Sequence, residues 1–149
     1  MWPRWIFISV AMKVIILFLA AIFVAHAQPR NQLINALIAV ESRGNAAAIG
    51  DGGRAYGLLQ IHAVMVADAN RIAKTKYTHD DMFEPAKARE VAEIILTHYA
   101  RHIERVSGVK ATDEQLARIW NGGGSAWKLQ REKKELNLQN YWRKVQSNL

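Results

Sequence analysis

Glu41 is the residue whose type and setting point most clearly to chemistry. It closes the apolar run Ala36-Leu37-Ile38-Ala39-Val40 and is followed by Ser42. A carboxylate in the last turn of a helix sits against the negative end of the helix dipole. An acid kept there is a candidate for a role other than solubility. Burial against apolar walls penalises a charged carboxylate and raises its pKa, which lets it donate a proton near neutral pH. The plainer alternative is a solvated residue at a helix end.

Other side chains offer less. The chain has no cysteine, so there is no thiol nucleophile and no thiolate metal site. His98 and His102 stand four apart on a predicted helix, a spacing that can grip a metal ion. No third ligand follows at a recognised spacing, and there is no His-Glu-x-x-His motif. The two therefore read as a surface or interface pair, with no metal and no cofactor expected. Trp120 and Trp127 can offer ring faces to a ligand or fill the core.

The elements that must position Glu41 follow from periodicity. Leu33, Leu37 and Val40 recur at helical spacing with Ile34 and Ile38 beside them, which predicts a helix from about Pro29 to Ser42. Proline suits its first turn. Residues Gly44 to Arg54 read as a loop with a strong turn at Asp51-Gly52-Gly53. Short strands are predicted around Ile49 and from Tyr56 to Ile61. A second helix spans about Ala63 to Lys74, and a polar loop runs from Thr75 to Phe83. A third helix starts near Pro85, carries Val91, Ile94, Ile95, His98 and His102 on one face, and ends before Gly108. A fourth starts at Thr112, where Thr112-x-x-Gln115 forms a capping box, and stops at Asn121-Gly122-Gly123-Gly124. The tail from Ser125 to about Gln146 is predicted to be helical and charged, with a break near Asn137. Lys128 to Lys134 reads as a solvated, charged face. The class is mostly α (α+β), with a small β-hairpin.

Four segments in order carry a family resemblance. Glu41-Ser42 with Asn45 comes first, then Gly57-Leu58-Leu59-Gln60-Ile61. Met82-Phe83-Glu84-Pro85 is similar to a Leu-x-Asp-Pro segment, and Trp120-Asn121-Gly122-Gly123 to a Tyr-Asn-x-Gly motif. Across residues 33–124 the order and spacing resemble the soluble lytic transglycosylase family of the lysozyme-like superfamily. Three features depart from its pattern. Gly52-Gly53-Arg54-Ala55-Tyr56 replaces a Ser-x-x-Gly-Ala stretch, Trp120 replaces a tyrosine, and the loop carries an additional acid, Asp51.

The resemblance implies a lysozyme-like helical domain with its hairpin beside a catalytic cleft. It implies Glu41 as the catalytic acid, cleaving the β-1,4 glycan strands of peptidoglycan and leaving 1,6-anhydro ends. Cleavage of a glycosidic bond needs a proton on a poor leaving oxygen, and a buried glutamic acid can supply it. Ser42, Asp51, Tyr56, Gln60, Trp120 and Asn121 are the expected substrate-binding residues. Gln60 and Asn121 can hydrogen-bond sugar hydroxyls and acetamido groups without titrating. Gln60 can equally satisfy the hairpin, and Asn121 can equally cap a helix. Asp51 opens a second reading, a hydrolytic muramidase in which it positions water or stabilises the oxocarbenium-like state. A third reading is a wall-binding module with Glu41 idle.

Composition sets the remaining bounds. The 149 residues suit one domain. Val14 to Ala25 is an unbroken apolar run of 12 residues, preceded by Lys13 and followed by the small-x-small triplet Ala25-His26-Ala27. This predicts a signal peptide over residues 1–27, with Met12 a candidate start. The alternative is an uncleaved anchor from Trp5 to Ala25, with Lys13 in its middle at a cost of about 2.5–3.5 kcal/mol. Either way residues 28–149 are expected outside the cytoplasm as an exported, monomeric domain. Membrane attachment is expected only if the segment is retained. Arg4 and Lys13 are the only charged residues before residue 28, so the formal net charge falls from +7 to +5 without them. A basic exported domain suits an anionic wall polymer, and nucleic acid is not expected as a partner.

Overall fold

The computed structural model describes residues 30–128 and 132–149. The expected leader or anchor at residues 1–27 lies outside them, as do the side chains of 129–134 in the charged Lys128 to Lys134 run. Residues Gln32–Leu149 form one compact unit.

Helix α1, described over residues 30–41, runs through the core. Leu33, Ile34, Ala36, Leu37 and Ile38 are all buried, so the helix is covered over much more than one stripe. It ends where Arg43 and Gly44 enter the left-handed region, at φ +55° and +85°. The Ser42 hydroxyl then donates to the Leu58 carbonyl at 2.8 Å and ties the end of α1 to the following sheet.

Three two-residue strands follow: β1 (Ile49–Gly50), β2 (Ala55–Tyr56) and β3 (Ile61–His62). They pair antiparallel in the order β1-β2-β3, with Ile49 opposite Tyr56 and Tyr56 opposite Ile61. The expected hairpin is thus widened by a third strand. The expected continuous strand from Tyr56 to Ile61 is not formed, because Gly57-Leu58-Leu59-Gln60 is a turn. Leu58 and Leu59 are both buried, whereas consecutive residues of a strand point to opposite faces. Gly57 makes the turn possible at φ +72°. A Cβ there would also run into the Met82 carbonyl oxygen, so this position is closed to other residues.

Helix α2 (Ala63–Ala73) buries Val66 and Ala69. A 3₁₀ turn over Asp80–Phe83 leads into α3 (Pro85–Ser107), which has proline in its first turn and Gly108 at its C-terminal cap. Helix α4 (Asp113–Gly122) begins with the expected capping box. The Gln115 amide donates to the Thr112 hydroxyl at 3.2 Å, and the Thr112 amide donates back to the Gln115 carboxamide at 3.0 Å. Helix α5 (Glu132–Gln146) passes through Asn137 without the expected break. Leu138, Tyr141 and Val145 lie on one face of it and are buried. That packed stripe keeps the helix intact at the exposed Asn137, where local propensity alone is unfavourable. Arg118 fastens α5 to α4, with one guanidinium nitrogen on Glu114 and another on Glu135, each at 2.6 Å. Among the described residues, no helix is long and apolar enough to cross a membrane.

Candidate active site

Glu41 reaches its position because α1 carries it out of the core at the C-terminal end of the helix. Its carboxyl group is half-buried, and that burial pushes its pKa above the ordinary glutamate value. A hydrogen bond from Tyr141 works in the opposite direction and is the smaller effect. The phenol donates to Oε1 at 2.6 Å. Burial, together with the adjacent carboxylate, raises the Tyr141 pKa as well, so this hydroxyl stays protonated and acts as the donor. With Oε1 engaged, Oε2 is the carboxyl oxygen left to carry a proton.

Glu41 opens onto a cavity of about 310 Å³. Five of the seven residues expected from the sequence line it together: Glu41 from α1, Asp51 from the β1–β2 turn, Gln60 from the β2–β3 turn, and Trp120 and Asn121 from α4. The other two sit elsewhere. Ser42 is engaged with Leu58, as above. Tyr56 stacks on His79, with ring centroids 3.8 Å apart and planes 4° from parallel, and on Phe83 at 4.7 Å. It therefore belongs to an aromatic stack with His79 and Phe83.

Gln60 is held in a strained pose. Its φ of +48° is unusual for a residue with a side chain. Its Nε2 donates to the carbonyls of Gly57 at 3.0 Å and Ala48 at 3.3 Å. A Cβ on Gly50 would overlap Gln60 Oε1, so the missing side chain at Gly50 makes room for the carboxamide. Asp51, at φ +48°, directs Oδ1 to Arg54 at 2.8 Å and Oδ2 to His62 Nε2 at 3.5 Å. Trp120 is buried and forms a wall of the cavity, whereas Asn121 is exposed at its rim. Asn121 lies inside α4, whose C-terminal cap is Gly123.

Ala55 of β2 also lines the cavity, and three further residues of this site with larger side chains were not singled out from the sequence. His62 and Met65 line the cavity, and Tyr141 contacts the carboxyl group itself. The spacing of Leu138, Tyr141 and Val145 marks Tyr141 as a core residue of the last helix, but nothing local marks its hydroxyl as the partner of Glu41. Trp127 stays away from the cavity, packing edge-on against His102 with Lys128 5.0 Å above its ring. His98 and His102 lie on α3, and among the described residues no group of three metal-ligating side chains converges.

The order of these elements has a counterpart among known proteins. The family model for the transglycosylase SLT domain matches residues 24–141, a span that takes in both Glu41 and Tyr141. The chain belongs to the SLT family. No curated protein and no solved structure matches it. SLT membership makes this a glycan-cleaving domain of the lytic transglycosylase or lysozyme-like type, with peptidoglycan as its substrate. The helical fold with its small antiparallel sheet agrees with that membership.

Proposed function

We propose that this SLT domain is a lytic transglycosylase in which Glu41 serves first as acid and then as base. Protonated Glu41 gives its Oε2 proton to the oxygen linking N-acetylmuramic acid to N-acetylglucosamine. The C1–O bond breaks and the N-acetylglucosamine end leaves as an alcohol. The carboxylate then takes the proton of the C6 hydroxyl of the same N-acetylmuramic acid, whose oxygen bonds to C1. A 1,6-anhydro ring results, Glu41 is protonated again, and no water is consumed.

The observation that carries this reading is the setting of Glu41. Its pKa is raised by burial, one oxygen is held by Tyr141, and the cavity around it offers the non-titrating Gln60 and Asn121. A group acting as acid and base in turn needs a pKa between those of a free carboxylate and a weak acid, and burial moves Glu41 in that direction. We further propose that residues 1–27 direct the domain out of the cytoplasm, where its substrate lies.

A second reading, hydrolysis, is favoured by one feature: Asp51 shares the cavity with Glu41, and its carboxylate is fixed by Arg54 and His62. In that case Asp51 positions a water molecule or stabilises positive charge at C1. Mass spectrometry of digested wall glycans separates the two. The lyase leaves anhydro ends that are lighter by one water. Hydrated reducing ends alone would assign the hydrolase.

A further inference from the structure

A second cavity lies away from the catalytic cleft and shares no residue with it. It is a groove of about 580 Å³ between α2 and α3. Its floor is apolar, formed by Ile72 and Ala73 of α2 and Ile94 of α3. Its two ends differ in charge. Glu93 stands at one end, accepting a hydrogen bond from Thr97 at 3.1 Å. Arg101 and Arg105 stand at the other, one turn apart. Arg101 is exposed and makes no ion pair among the described residues. Among the described residues, Arg105 makes no ion pair, and it contacts the ring of His102 at 3.3 Å, a weak partner for a guanidinium group. His98 lies between the two ends. Its pKa is lowered by burial first, then by Arg71, His102 and Arg105, with Asp68 opposing. A largely neutral imidazole beside two guanidinium groups leaves the charge at that end to the arginines. On the flank, Arg71 is already paired with Asp68 at 3.1 Å.

We propose that this groove binds the short peptide carried by wall glycan, with a free amine of the peptide at Glu93 and a free carboxylate at Arg101 and Arg105. The wall peptide has the required groups: free carboxylates, the side-chain amine of its diamino acid, and alanine methyls suited to the Ile72–Ala73–Ile94 floor. The lengths agree. Glu93 and Arg101 are about 12 Å apart along the helix, and four extended residues span about 13–14 Å. Two guanidinium forks one turn apart favour a planar carboxylate. Peptide held here fastens the strand to the domain at a second point while the glycan occupies the cleft. The inference rests on the proposed action on peptide-bearing glycan, but peptide binding is measured without turnover.

The test titrates the purified full chain with the free wall tetrapeptide and follows backbone amide resonances. The expected shifts cluster at residues 72–73 and 93–105 and leave those around Glu41 unchanged. Arg101→Glu and Arg105→Glu are expected to weaken binding by about tenfold or more, the worth of one charge-assisted hydrogen bond, while Arg101→Lys, which keeps the charge and loses the fork, weakens it less. Glu93→Gln should weaken the peptide with a free amine and leave the acetylated peptide unaffected. On intact wall, Arg101→Glu is expected to raise KM with kcat little changed. On glycan stripped of peptide it should match wild type. Shifts confined to the catalytic cleft, binding indifferent to both arginines, or tighter binding of inorganic phosphate or anionic phospholipid vesicles at the same residues would overturn the proposal. Failure of the catalytic reading shows instead as retained cleavage by Glu41→Gln.

Discussion

Tyr141 and Glu41 are 100 residues apart in the chain and 2.6 Å apart in the fold. The last helix thus closes onto the end of the first, and its only buried tyrosine hydroxyl is given to the carboxyl group of the candidate acid. This contact joins the packing of α5 to the candidate acid. Leu138 and Val145, buried on the same stripe of α5, fix the depth at which the phenol enters.

Removing that hydroxyl has a signed consequence. The Tyr141 hydrogen bond lowers the Glu41 pKa against the larger effect of burial. In Tyr141→Phe the lowering contribution is lost, so the Glu41 pKa rises further. The alkaline limb of kcat/KM reports the acid of the free enzyme, and it is expected to move to higher pH. At neutral pH kcat should fall by about tenfold, because the carboxyl loses the bond that orients it. A pH–rate profile of the variant checks both. An alkaline limb that stays in place or moves to lower pH would refute this role.

A raised carboxylate pKa is also a statement about stability. The folded state holds the Glu41 proton more tightly than the unfolded chain does. The stabilisation from that proton is fully present below the unfolded pKa of about 4.3 and is lost as pH rises through the folded value. Glu41→Gln removes the titration and keeps an acceptor for Tyr141. The variant is therefore expected to melt at a higher temperature than wild type near and above neutral pH. The difference should vanish as the pH drops below about 4. Thermal melts across that range test it, and a variant less stable at neutral pH would argue that Glu41 holds the fold together.

Much of this arrangement was legible in the sequence, for physical reasons. Helix α1 was readable because its apolar residues repeat at 3.6, and Thr112 with Gln115 marked the start of α4 through local hydrogen bonds. Glu41, Gln60, Trp120 and Asn121 could be grouped because ordered motifs carry them, and Asp51 because it is an additional acid in the loop between the first two motifs. The turn at Gly57-Leu58-Leu59-Gln60 was misread as strand, since a short apolar run has no period to distinguish the two. Its geometry depends on Met82, more than twenty residues away, pressing on Gly57. The break expected at Asn137 failed for a related reason: packing of Leu138 and Tyr141 overrides a local preference. Tyr141 itself was invisible as a site residue because its partner is a tertiary one.

Asp51 distinguishes the two reaction types. In the lyase, the nucleophile belongs to the substrate and a second carboxylate is not required. Asp51→Asn keeps a residue that tolerates a left-handed turn and loses the charge facing Arg54 and His62, in an exposed setting where such pairs contribute about 0–1 kcal/mol. The variant is expected to retain most of its activity on purified wall. A drop of a hundredfold or more would assign Asp51 a catalytic role and favour hydrolysis.

Gly50 gives a test of the Gln60 pose that leaves the acid untouched. Its φ is not in the left-handed region, so the backbone accepts alanine, but the new methyl takes the space of Gln60 Oε1. Gly50→Ala is expected to swing the carboxamide out of the cavity. Glycan binding should weaken by about tenfold, while stability falls by no more than about 1–3 kcal/mol. Unchanged affinity measured by calorimetry with a wall oligosaccharide would remove Gln60 from the binding site.

The role proposed for Glu41, as the acid that cleaves the glycan, is tested by turnover and binding of Glu41→Gln on purified peptidoglycan. The amide keeps the shape of the side chain and removes the transferable proton. The variant is expected to show a fall in kcat of about 10²–10⁴ or more, no clearing in a zymogram, and glycan affinity close to that of wild type. Activity within about tenfold of wild type would contradict that role and require a different acid.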